Sequence, residues 1–123
     1  MFYGMVCSGQ FMNQRYCLTL DLKNDPKLIA EYCRYHEKVW PEITASIKAA
    51  GIQDMEIYLL GTRLFMIMEV DESFSFEKKA ETDRQNAKVQ EWEKLMWKFQ
   101  QAVPEAAPGE KWVRMKRIFK LEA

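Results

Sequence analysis

Arg15-Tyr16-Cys17-Leu18-Thr19-Leu20-Asp21-Leu22 alternates with a period of two. Tyr16, Leu18, Leu20 and Leu22 point one way, and Cys17, Thr19 and Asp21 the other, which is the pattern of a half-buried strand. Asn24-Asp25-Pro26 follows, with Asp25 as a helix cap and Pro26 at the first helical position. From Leu28 to Ala50 the apolar residues Leu28, Tyr32, Tyr35, Val39, Ile43, Ile47 and Ala50 recur every three or four positions. Pro41 interrupts this run. Proline removes a helical hydrogen bond and crowds the preceding turn, so the spacing predicts a kink, or two helices meeting near Val39–Trp40. Gly51 ends the second part.

Working outward, residues 54–60 and 63–70 read as two strands joined by a Gly61-Thr62 turn, hence a hairpin. The second strand is apolar on both faces, as a central strand should be. A short amphipathic helix falls within residues 71–84, carrying Phe74, Phe76 and Ala80. A longer one follows, with Val89, Trp92, Met96 and Phe99 facing the sheet. Pro104 to Gly109 is a loop, and Trp112 to Lys120 reads as a last strand. The order predicts an α+β fold, a ferredoxin-like βαββαβ sandwich with its helices on one sheet face. The other face needs a cover, and a homodimer supplies one. Residues 1–12 read as an N-terminal extension dispensable to the domain, with residues 13–123 forming that domain.

Composition narrows the function. Eighteen Lys and Arg balance eighteen Asp and Glu, so no basic excess points to nucleic acid. The one local cluster, Arg114, Lys116, Arg117 and Lys120, reads as a solvated strand face. Cys7, Cys17 and Cys33 are odd in number and lack C-x-x-C spacing, so neither a disulfide framework nor a zinc site is indicated. Free thiols fit a reducing cytoplasm. No run is long enough to span a membrane. Metal-free chemistry is the expectation.

That chemistry centres on His36, the only histidine. Imidazole is the side chain that gives and takes protons most readily near neutral pH. On a helix, Tyr32 lies one turn before it and Trp40 one turn after, on the same face. A helix end just beyond His36 would favour the imidazolium and raise its pKa. The plain alternative is a hydrogen-bonded core or rim histidine. Glu69 interrupts its apolar strand; it reads either as a strand-end carboxylate reaching solvent or as an acceptor in a pocket.

The run Tyr32-x-x-x-His36-x-x-x-Trp40-Pro41-Glu42, followed by Gly51, Ile57-Tyr58-Leu59, Leu64-Phe65, Glu69 and Gln90-x-Trp92, resembles the L-rhamnose mutarotase family. The resemblance covers residues 14 to 119. It implies a dimeric α+β barrel of ferredoxin-like subunits and cofactor-free interconversion of the α and β anomers of a 6-deoxy-hexose. It makes His36 the proton donor, and Tyr32 and Trp92 sugar contacts. Glu93 and Met55 stand at two further sugar-contacting places, where the family commonly has tryptophan and tyrosine. L-rhamnose is the substrate this resemblance names first, with L-fucose the alternative of the same family. Tyr32 would orient the sugar or polarise the imidazole. Glu69, Glu93 or a water could act as base, with Trp40 and Tyr58 as further possible contacts. Two readings of other classes share the fold: a dimeric barrel monooxygenase, and a non-catalytic ligand-binding domain.

Overall fold

The computed structural model describes residues 14–122; the expected extension lies outside the described residues. Strand β1, Gln14–Leu22, is followed by helices α1, Pro26–Glu37, and α2, Pro41–Ala49. The hairpin is β2, Ile52–Leu60, and β3, Arg63–Val70. Helices α3, Phe76–Arg84, and α4, Ala87–Trp97, lead to two short strands, β4, Gln100–Gln101, and β5, Val113–Arg114.

The local causes are those the chain advertises. Asp25 Oδ1 accepts from the backbone N–H groups of Lys27 and Leu28, at 2.9 and 3.4 Å, opening α1. The Pro41 ring would collide with the carbonyl of Glu37 in a continuous helix, and α1 stops at that residue. Pro41 then serves as first residue of α2, where its missing N–H costs nothing. Ser75 and Asn86 cap α3 and α4 with their side-chain oxygens.

The sheet runs β2-β3-β1-β4, with β5 also on β1, and every pairing is antiparallel. Leu18, Leu20 and Leu22 of β1 share the buried face with Leu64, Met66, Met68 and Val70 of β3. Leu20 lies directly opposite Leu64, and these are the two most enclosed side chains of the core. The helices bring Tyr32, Ile43, Val89, Trp92 and Met96 onto that face, together with Phe99. In β2 a bulge at Gln53 shifts the register between Ile52 and Asp54. Without it, the period of two would send Met55 and Ile57 to the opposite face from Ile52.

The expected barrel is not what forms. The sheet is open, bounded by β2 on one side and by two short strands on the other. The single long last strand is also corrected: only Val113 and Arg114 pair with β1, while Lys116, Arg117 and Lys120 are exposed and outside any ladder. The physical reason lies in the segment past Arg114: its apolar residues Met115, Ile118 and Phe119 are all exposed, so no buried face holds it against the β1 edge. A closed barrel needs a complete set of tilted, staggered strands, and three long ones do not supply it. The face away from the helices carries two ion pairs, Arg15–Glu69 and Arg63–Asp21.

Gly51 carries the turn from α2 into β2 with φ at +95°. A Cβ there would meet Asp71 Oδ1 at 2.5 Å. That oxygen cannot yield freely, because it accepts from Ser73 N at 2.9 Å and Ser73 Oγ at 2.6 Å. Gly51→Ala is expected to cost about 1–3 kcal/mol, read as a lower urea midpoint with unchanged slope. An unchanged midpoint would mean that the turn tolerates a side chain.

Candidate functional site

Between the sheet and the helices lies a cleft of about 890 Å³. Leu18, Met66, Met68, Ile52, Met55 and Ile57 form its sheet wall. Tyr32, His36, Trp92 and Glu93 enter it from the helices, and Gln100, Lys111 and Trp112 from the last segments. A mostly apolar concavity with a few convergent polar groups is the ordinary form of a small-molecule site.

His36 is the penultimate residue of α1. Its Nδ1 lies 2.8 Å from the carbonyl oxygen of Tyr32, one turn back. A carbonyl can only accept, so Nδ1 carries the hydrogen and neutral His36 presents a free lone pair at Nε2. The Tyr32 and His36 rings lie 4.4 Å apart, and the Trp92 ring meets His36 edge-on at 5.7 Å. Burial pushes the imidazole below its ordinary value of 6.5, and the Nδ1–H bond to the Tyr32 carbonyl offsets part of that. This reverses the expectation that the helix end raises it: losing water around the cation outweighs the attraction of the helix C-terminus.

Tyr32 is buried, and burial lifts its phenol to about 12, while the hydrogen bond from Gln100 acts in the other direction. The amide Nε2 of Gln100 donates to the Tyr32 hydroxyl oxygen at 3.3 Å. Behind Trp92 stand Tyr35, at 6.2 Å, and Trp40, at 5.0 Å, both edge-to-face. Such stacking holds the indole upright while one side borders the cleft.

The sequence-predicted residues divide cleanly. His36, Tyr32, Trp92, Glu93 and Met55 line one cleft. Trp40 does not line it and acts behind Trp92. Glu69 lies on the opposite sheet face, bonded to Arg15 at 2.8 Å, and Tyr58 is 54% exposed on that face, its hydroxyl donating to Glu56. Neither Glu69 nor Tyr58 lines the cleft. Gln100 and Lys111 were missed. Lys111 Nζ donates to the Glu93 carbonyl oxygen at 3.2 Å and lies 5.1 Å above the Trp97 ring. The available signal for Gln100 was a glutamine set between apolar Phe99 and Val103, both buried here.

Among the described residues no group of His, Cys, Asp and Glu could hold a metal, and no helix is long and apolar enough to cross a membrane.

Residues 15–121 match the family described as L-rhamnose mutarotase. An L-fucose mutarotase of Xanthomonas campestris pv. campestris is 49% identical over 110 residues, covering 88% of each chain. An L-rhamnose mutarotase of Shigella flexneri is 33% identical over 86 residues, 68% of this chain and 79% of that one. The crystal structure of an L-rhamnose mutarotase from Formosa agariphila matches the fold with a TM-score of 0.66, at 20% identity, over 89% of this chain and 99% of that chain. The chain belongs to the L-rhamnose mutarotase family, aldose isomerases that act at the anomeric carbon of a 6-deoxy-hexose.

Proposed function

We propose that this 6-deoxy-hexose mutarotase acts on L-fucose in preference to L-rhamnose, with His36 and Tyr32 moving the protons. The observation that carries the proton chemistry is the Nδ1–H bond from His36 to the Tyr32 carbonyl, which leaves Nε2 as an acceptor beside a buried phenol. The choice of L-fucose replaces the first expectation of L-rhamnose. It draws on the 49% identical relative named for L-fucose, and on Met55 and Glu93 in the cleft wall.

Mutarotation breaks the bond between C1 and the ring oxygen, and remakes it on the other face. The ring oxygen must gain a proton while the C1 hydroxyl loses one. Neutral His36 accepts the C1 hydroxyl proton at Nε2, and the Tyr32 hydroxyl gives its proton to the departing ring oxygen. The electron pair of the broken bond stays on that oxygen, and C1 becomes an aldehyde carbon. Rotation about C1–C2 turns the carbonyl. On closure the imidazolium returns a proton to the carbonyl oxygen, and the phenolate takes the hydroxyl proton back. A phenol is a far stronger acid than an alkanol even when lifted to about 12. The imidazolium formed beside it stabilises the transient phenolate. Trp92 packs on the apolar C–H face of the sugar. His36 thus begins as acceptor and becomes the donor expected from the resemblance only on the return step. A homodimer through the face away from the helices belongs to the same proposal.

Proton NMR of anomer exchange tests this. Exchange on L-fucose is expected to exceed that on L-rhamnose, and His36→Ala to lose about 10²–10⁴-fold. Trp92→Ala is expected chiefly to raise KM. Near-wild-type exchange in His36→Ala would overturn the assignment, and faster exchange on L-rhamnose would overturn the sugar.

The lowered imidazole pKa fixes a sign for pH. No carboxylate pairs with His36 among the described residues. The working base is the neutral form, so kcat/KM should rise as pH increases through a value below 6.5 and then stay level through neutrality. A rate falling across the same window would mean that the imidazolium is the working form.

A further inference from the structure

Among the described residues Gln100 is the one buried polar residue, 5% exposed, and it lines the cleft. Its backbone is fixed by the β4 pairing with Leu22, so the amide has a set position. Nε2 reaches the Tyr32 hydroxyl oxygen, while Oε1 is buried and has no hydrogen-bond partner among the described residues. An apolar side chain would fill this place between Phe99 and Val103 without leaving a buried acceptor unpaired. The amide needs a role that such a residue could not fill.

Its polarity supplies one. Tyr32 Oη has one hydrogen to donate and lone pairs to accept. An N–H pointed at the oxygen occupies a lone pair, so the phenol hydrogen must leave in another direction. Tyr32 lines the cleft, and its ring lies against His36. We propose that Gln100 is a positioning residue: its amide donates to the Tyr32 oxygen, turns the phenol hydrogen toward the sugar, and steadies the phenolate formed on proton transfer. The inference rests on the mutarotase reading and deepens it.

The reverse polarity is the competing arrangement. With the amide turned over, Oε1 would accept the phenol hydrogen and take it away from the sugar. Phenolate would then face a carbonyl oxygen, which repels it.

A double-mutant cycle on anomer exchange tests the proposal, using L-fucose with wild type, Gln100→Leu, Tyr32→Phe and the pair. Gln100→Leu is expected to lower kcat about tenfold while KM changes little, because the lost interaction grows with the phenolate. In the Tyr32→Phe background the same change is expected to have no further effect, since Gln100 acts through the phenol. Gln100→Glu is close in shape and, when ionised, can only accept. It is expected to lower kcat at least as much, and it keeps the test sharp if the leucine variant folds poorly. Additive losses, or a rise in KM at constant kcat, would overturn the proposal and make Gln100 a packing or direct sugar contact. Wild-type protein that exchanges neither L-fucose nor L-rhamnose would sink the mutarotase reading and this inference with it. Wild-type exchange with an additive cycle would sink this inference alone.

Discussion

The end of α1 is the constraint on which the site depends. Pro41 forbids the helix from running past Glu37, and this leaves His36 in the last turn. There its Nδ1 reaches back to the Tyr32 carbonyl, and the ring is fixed in plane and in tautomer at once. One hydrogen bond between residues four apart thereby decides which nitrogen meets the cleft. Two aromatic neighbours hold that ring: Trp92 against its edge and Tyr32 against its face, where all three border the cleft.

The energetic consequence runs against the simplest electrostatic expectation. A helix C-terminus favours a cation, yet the cleft that surrounds His36 disfavours it more. The same burial lifts the Tyr32 phenol. Both groups therefore rest neutral near pH 7, and under the proposed mechanism the pair turns ionic only while a proton is in transit. That suits a reaction with no net change in protonation, in which ring opening and closure must be comparably easy.

Much of this was legible along the chain. Alternation in residues 15–22, the Asp25-Pro26 start, the break at Pro41 and the Gly61 hairpin all appear as their residue types dictate. The Tyr32-His36 pair and Trp92 meet in one cleft because they sit on helices with unambiguous apolar faces. What failed was information held between segments. Glu69 and Tyr58 sit in strands whose two faces both carry apolar side chains, so periodicity did not say which face was inside. The bulge at Gln53 decides that Met55 faces the cleft, and no motif marks it. The last strand misled because alternating cations mimic a half-solvated ladder, while Met115, Ile118 and Phe119 among them stay exposed and meet no buried face. Gln100 was hidden because its meaning comes only from the Tyr32 hydroxyl, far away in sequence.

A single histidine makes the central claim open to one direct measurement. Nitrogen-15 NMR of the ¹⁵N-labelled protein, followed across pH, reads the protonation of both ring nitrogens of His36. A neutral ring with hydrogen on Nδ1 and a bare Nε2, titrating below 6.5, is the expected result. A ring carrying hydrogen on Nε2 when neutral, or one still charged at pH 7, would contradict it.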